Sequence, residues 1–288
     1  MRYGAIFPQR EIGTDVSMIR DYVAGIQKLG FDHLVIYDHV LGADTTDRPG
    51  WTGYDLDDGF HEVFVLLGFI AAIAPGLELV TDVLILPQRQ TTLVAKQAAE
   101  VDILSGGRFR LGVGVGWNQV EYEALGEDFR TRGRRVEEQI DLLRRLWTER
   151  SLDYTGREHR IPNAGLTYMP PQQPIPIWIG GSADVTLDRV GRIGDGWFPL
   201  GTPDDAMAQR IDRVRKVAVA NGRDPYAIGF EPTIPLRADP TTWRETADRW
   251  EAIGATHLAL DTMNTGSVTV ADHLALLSRW RANVLGDA

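Results

Sequence analysis

The chain has 288 residues, 43% of them hydrophobic and 24% charged, an ordinary globular balance that sets aside both a membrane-embedded chain and a disordered one. Thirty Lys and Arg against forty Asp and Glu leave a net charge of -10, with Lys28, Lys96 and Lys216 the only lysines, which weighs against nucleic acid as a partner. Cysteine is absent, removing disulfides, thiolate metal ligands, iron–sulfur clusters and a cysteine nucleophile.

The N-terminus, MRYGAIFPQREIG, holds too short an apolar run for a secretory segment, so a cytoplasmic location is expected. A strand is expected at 3–8 (YGAIFP), followed by an amphipathic helix in DVSMIRDYVAGIQKLG that stops at Gly30. The same unit recurs as HLVIYDHV (33–40) before a helix over 60–74, as LELVTDVLILP (77–87) before TLVAKQAAEVDILSGG, and as RFRLGVGVG (108–116) before RRVEEQIDLLRRLW. The run 63–74, VFVLLGFIAAIA, is shorter than the roughly 20 residues a bilayer span needs and reads as a buried helix, so no membrane contact is expected. A polar, proline-bearing stretch at 151–174 leads to IPIWIGG, GWFPLG, IGFEPTIPLR and THLALDTMN, each before a helical pattern, the last being VADHLALLSRWRANVL.

Eight strands alternating with eight helices require parallel pairing with right-handed crossovers, and the near-regular repeat favours a closed (β/α)₈ TIM barrel over an open doubly wound sheet. The first strand-to-helix turn, PQREIGTD, lacks the glycine fingerprint of an open nucleotide-binding sheet. Residues 1–288 read as a single domain with two excursions, the loop 41–59 and the segment 151–174 between the fourth helix and the fifth strand. The loop leaves the second strand at the C-terminal face, where barrel active sites lie, and its length makes it a candidate lid.

At the end of that strand VIYDHV delivers Asp38 and His39, the expected catalytic residues. Histidine exchanges a proton near neutral pH and a neighbouring carboxylate can hold its tautomer; a pair satisfied by backbone hydrogen bonds is the plainer alternative. His33, His61, His159, His257 and His273 show no ligand spacing, so no metal site is expected. Gly112, Gly114 and Gly116 recur at period two and leave one strand face bare. Facing inward, that strip makes room for a planar ring rimmed by Trp117 and Asn118; facing outward, it lets a helix approach closely. Gly180, Gly181, Ser182 and Ala183 form a turn of small residues at a helix start, where backbone N–H groups suit a phosphate. The same turn reads equally as a tight loop capped by Ser182, and Asp184 competes for the helix dipole.

In this order, the DH pair, the run GRFRLGVGVGWNQVEYEALG (107–126) and IWIGGSA resemble the bacterial luciferase-like superfamily over nearly the whole chain. The DH pair and the short length are most similar to its branch of oxidoreductases dependent on the deazaflavin coenzyme F420. The resemblance implies a barrel that binds F420, or alternatively FMN, at its C-terminal mouth, with the ring deep and the phosphate near Gly180, Gly181, Ser182 and Ala183. Asp38 and His39 would lie beside the reactive ring, His39 as proton donor or electrostatic stabiliser, with Gly114, Gly116, Trp117 and Asn118 in the cofactor-binding set. It further implies a non-proline cis peptide in the third strand, mapping to Thr81, Asp82 and Val83. Members that oxidise hexose phosphates carry a glutamate just after the glycine strand; Trp117 stands there, which argues against that activity.

The implied activity is hydride transfer to or from a small organic substrate with F420, or monooxygenation with FMN, whose reduced form reacts with oxygen. A barrel that binds flavin without catalysing is the reading from another class. A hydrolase would draw on Asp38, Glu231 and Asp261, which form no recognisable pair in sequence. The stripe Leu274, Leu277 and Trp280 of the last helix either closes the barrel or joins a homodimer, the expected oligomer.

Overall fold

The computed structural model describes residues 1–237 and 239–286. It opens with β1 (Arg2–Ile6), the one-turn helix α1 (Gln9–Ile12), α2 (Val16–Lys28), β2 (His33–Ile36) and α3 (Val63–Ile73). Next come β3 (Glu78–Thr81), β4 (Leu84–Ile85), α4 (Thr91–Ser105), β5 (Phe109–Gly114), α5 (Gln119–Ala124) and α6 (Arg132–Thr148). A hairpin of β6 (Leu152–Thr155) and β7 (Arg160–Ala164) precedes β8 (Ile177–Gly180), α7 (Asp184–Ile193), β9 (Gly196–Phe198) and α8 (Asp205–Ala220). The chain ends with β10 (Gly229–Phe230), β11 (Thr233–Pro235), α9 (Trp243–Ile253), β12 (His257–Asp261) and α10 (Val270–Leu285).

Outside the hairpin every strand pairs in parallel, in the order β10, β9, β8, β5, β3, β2, β1, β12, β11, with β4 also on β5. β10 and β11 are two parts of one stretch, parted by Glu231 and Pro232: Gly229 and Phe230 pair with β9, whereas Thr233, Ile234 and Pro235 pair with β12. The sheet therefore returns on itself through this split strand, in keeping with the expected α/β repeat. The structure corrects the continuous strands expected at 77–87 and in IGFEPTIPLR, each of which is interrupted, and it adds the short helices α1 and α5. The 151–174 stretch carries the antiparallel hairpin, whose turn is tied down where Glu138 of α6 accepts the N–H groups of Glu158 and His159, both at 3.0 Å. Among the described residues no helix is long and apolar enough to cross a membrane.

Period-two alternation gives each strand two jobs. Leu34, Leu79, Leu111, Ile177 and Leu258 face outward into the large core shared with the helices, while Ile6, Val35, Val80, Trp178, Phe198 and Ala259 meet inside the ring. Trp178 fits there because Gly196 and Gly229 lack side chains; a Cβ on either would lie 2.1 or 2.3 Å from its ring. α3 begins at Val63 rather than at 60 because the Glu62 carboxylate accepts the Val65 N–H at 2.7 Å and caps the helix. In α10, Leu277 and Trp280 are fully buried and the Trp280 ring lies 5.5 Å from Tyr3, so the stripe is turned against the barrel's own strands and helices.

Gly112 is the tightest of the inward glycines, since a Cβ there would lie 1.8 Å from the Thr81 carbonyl oxygen, a backbone atom with no freedom to swing aside. Gly112→Ala is expected to cost about 3 kcal/mol by overpacking. Gly59→Ala, which meets nothing within 4 Å, should stay within about 0.5 kcal/mol of the parent. Urea unfolding of the two variants checks the contrast.

Candidate active site

The C-terminal ends of the strands surround a cavity of about 600 Å³. The alternation that fills the ring also chooses much of its lining: Tyr37, Asp82, Gly114, Gly180, Phe198 and Asp261 all reach it. Between β3 and β4 the Asp82–Val83 peptide is cis, as the family resemblance implied. Across it the pairing slips by one residue, with Leu79 opposite Phe109 below and Leu84 opposite Val113 above.

The slip carries Val83 onto the bare backbones of Gly114 and Gly180, where a Cβ would approach its methyl groups to 2.5 and 2.8 Å. The glycine strip thus faces inward. It is filled by Val83 and by Ile85 against Gly116, which make a low, apolar floor, and deeper down by the Thr81 carbonyl against Gly112. Thr81 lies beneath that floor, its hydroxyl donating to the Gly112 carbonyl at 2.8 Å and accepting from the Gly112 N–H at 2.9 Å.

Asp38 and His39 follow the end of β2, and they do not form a pair with each other. The buried Asp38 carboxylate accepts two hydrogen bonds from Arg89, at 2.7 and 2.9 Å; burial raises its pKa, and the guanidinium opposes that rise. The carboxylate on His39 is Glu121, in the first turn of α5, with Oε1 3.2 Å from Nδ1. Glu121 Oε1 also accepts the N–H groups of Val40 at 2.7 Å and Leu41 at 3.2 Å. Burial acts to raise the Glu121 pKa, but His39 and the two amides outweigh it and leave the group below the ordinary carboxylate value.

Glu121 is the residue that sequence reasoning missed. Its spacing from Asn118, whose side chain caps α5 through the Val120 N–H at 3.0 Å, is that of a helix capping box, a structural signal. Its partner His39 is 82 positions away. Asn118 is buried at the cavity with its side-chain nitrogen unpaired. The His39 ring is enclosed by Tyr54 at 4.6 Å, Phe60 at 4.8 Å and Trp117 at 6.0 Å. Trp117, 48% exposed, also meets Trp51 at 5.6 Å, so the loop 41–59 is packed on the mouth by its own aromatic residues.

At the opposite rim Gly180 and Gly181 line the cavity, Gly181 with φ +123°, whereas Ser182 and Ala183 are exposed and lie outside its lining. The N-cap of α7 is Ala183 rather than Ser182, and no side chain caps it. Asp184 stays in the first turn of α7, where its exposed carboxylate pairs with Arg213 at 2.5 Å, so the competitor the sequence placed at this dipole is partly offset by a cation. The carboxylates considered for hydrolysis are each engaged: Asp38 by Arg89, Glu231 by Arg110 and His33, and Asp261 by the Met263 N–H at 2.8 Å.

The sequence profile of luciferase-like monooxygenases matches residues 1–278, and the chain belongs to this family. A protein of Mycobacterium tuberculosis without an assigned activity is 38% identical over 229 residues, 77% of this chain and 79% of its own length. An FMNH2-dependent dimethylsulfone monooxygenase of Pseudomonas putida is 32% identical over 174 residues, 59% of this chain and 47% of its own. An F420-dependent glucose-6-phosphate dehydrogenase of Segniliparus rotundus is 29% identical over 232 residues, 77% of this chain and 65% of its own. Among solved structures, an F420-dependent secondary alcohol dehydrogenase superposes with a TM-score of 0.81 at 16% identity, covering 98% of both chains, a likeness of fold. F420-dependent and FMN-dependent enzymes thus both stand among the relatives.

Glu121→Gln is expected to lower stability by about 1–3 kcal/mol at neutral pH by removing a charge-assisted set of buried hydrogen bonds. Because the folded-state pKa is depressed, that contribution is present above the unfolded-state value of about 4.3 and is lost as pH falls through the folded one. Urea midpoints of parent and variant should therefore differ at pH 7 and draw together as pH falls below the unfolded-state value of about 4.3.

Proposed function

We propose that this protein is an oxidoreductase that uses coenzyme F420 to move a hydride to or from a small organic substrate. The observation that carries the reading is the low floor of Val83 over Gly114 and Gly180 in the same cavity as the His39–Glu121 pair. A planar heterocycle needs a face free of projecting side chains, and that floor offers one. An anionic tail needs unshared donors, and the uncapped start of α7 beside Gly181 offers those. Val83, Gly114, Gly116, Trp117, Asn118, Gly180 and Gly181 would hold the group, with Asp82 beneath it and the exposed Ser182 and Ala183 near its tail. Bound there, the deazaflavin supplies or accepts a hydride.

The protein's share is orientation and proton handling. With Nδ1 of His39 engaged by Glu121, Nε2 is the ring nitrogen left to exchange a proton with a substrate oxygen or nitrogen. The loop 41–59, packed through Tyr54 and Trp51, serves as the lid that keeps water from the reacting atoms. Trp117, in place of a glutamate, directs the substrate away from hexose phosphates. An FMN-dependent monooxygenase is the second reading, favoured by the dimethylsulfone monooxygenase relative.

Titrating the purified protein with F420 and with FMN by fluorescence quenching tests the choice. F420 is expected to bind, and binding of FMN alone abandons the deazaflavin. His39→Ala should keep cofactor affinity within about tenfold and lose turnover by about 10² or more. Turnover is followed as oxidation of reduced F420 by small carbonyl compounds, and unchanged turnover removes His39 from the chemistry.

A further inference from the structure

Each carboxylate of this site but one has a partner in the protein. Asp38 has Arg89, Glu121 has His39 and two amides, and Asp261 has the Met263 amide. Below them Glu231 has Arg110 and His33. The exception is Asp82: its backbone N–H donates to the Ile36 carbonyl at 2.9 Å, but no hydrogen bond or ion pair reaches its side chain among the described residues. The position is defined by the floor itself. Asp82 continues the inward set of Glu78 and Val80, and the next residue is wedged between Gly114 and Gly180.

We propose that Asp82 is a ligand-binding residue that donates a hydrogen bond from its carboxyl group to a carbonyl oxygen or ring nitrogen of the molecule occupying the cavity, a residue role that rests on the redox reading above. The charges around it support a donor rather than an acceptor. From β5, Arg110 pairs with Glu231 at 2.5 Å and with Glu78 at 3.3 Å, and although its Nη2 has no hydrogen-bond partner among the described residues, no Arg110 nitrogen bonds the Asp82 carboxyl. From the split strand, Glu231 presents a buried negative charge. Tyr37 after β2, Tyr54 of the lid loop and Asp261 at the end of β12 also face the cavity, as do His39 and the cations Arg10 and Arg237; Arg10 is paired with Asp58, Arg237 acts on Asp261, and among the described residues neither reaches the Asp82 carboxyl. Enclosure first, and then Glu231, push the Asp82 pKa up to about 7 against a smaller opposing pull from Arg110. The group is therefore the neutral acid over the lower part of the physiological range, with a proton to donate and no protein acceptor for it. The dione edge of a flavin or deazaflavin presents acceptors of the required kind. On ionisation Asp82 would instead oppose such an edge and add to the repulsion of an anionic tail.

The test compares the parent with Asp82→Asn, an uncharged donor at every pH, and Asp82→Ala, which has no donor. Dissociation constants for F420 and for FMN are measured from about pH 6 to about pH 9. The ratio of parent to Asp82→Asn cancels ionisation of the ligand's own phosphate. That ratio is expected to rise by up to tenfold per pH unit above about 7, with Asp82→Ala weak throughout. A ratio constant across the range, with either cofactor bound, overturns the proposal. A ligand-free readout separates it from the redox reading. A raised folded-state pKa stabilises the protein below the unfolded value, and that stability is lost as pH rises through the folded one. Asp82→Asn should therefore raise the melting temperature of the free protein by roughly 2 to 4 °C at pH 8 and leave it unchanged at pH 4. If neither cofactor binds any variant, the redox reading falls. An equal melting shift at both pH values then shows that the side chain is not held neutral, which defeats the donor role on its own.

Discussion

A carboxylate shut away from water must be met by cations, and in this barrel Glu231 is met by Arg110 and His33 inside the ring. It stands where the seventh strand divides between its two neighbours, so the gap that lets the sheet close is occupied by an ion pair rather than left as open backbone. Arg110 also lies 4.1 Å over the Trp178 ring, and Trp178 packs in turn on Phe198 and His257. Burial, then Arg110, lower the His257 pKa to about 3, so it stays neutral beside them. Together these groups fill the lower half of the ring. The cavity opens above them at the strands' C-terminal ends, and Arg110, the guanidinium that acts on Asp82, is already paired with Glu231 and Glu78.

The site is best understood as two layers with different rules. The floor is built by strands, and its members follow from inward alternation and from glycines that admit a neighbour. The wall is built by segments past the strand ends, and its members are fixed by long-range contacts: Arg89 reaches back to Asp38, Glu121 to His39, and Tyr54 of the 41–59 loop closes over that histidine beside Phe60. A strand-built floor resists change because every substitution disturbs two strands. A loop-built wall is freer to vary, which accords with a family whose members act on unlike substrates.

Much of the floor was legible in the sequence, because period two and period 3.6 are local signals. The last helix was expected over VADHLALLSRWRANVL and is found at Val270–Leu285, and the glycine strand sits where its pattern put it. Periodicity says which residues share a face, though, and not which way the face looks; Val83 settled that for Gly114 and Gly180. The carboxylate partner of His39 was sought in its neighbour Asp38, since adjacency in sequence was the only proximity available. Adjacent residues at the end of a strand point apart, and each found its partner on a different connection. The hairpin within 151–174 was hidden for another reason: a short antiparallel pair on the surface, held by Glu138 from α6, needs little apolar alternation to announce it.

The seating of Val83 has a bearing on how such barrels drift over evolutionary time. One isopropyl group occupies a notch shared by two backbones from strands far apart in the chain, so the three positions are bound by a common volume rather than by any bond. A lineage that acquires a methyl at 114 or 180 must shrink the residue at 83, or lose the flat platform. Co-variation among these three columns would be the evolutionary signature of that shared volume.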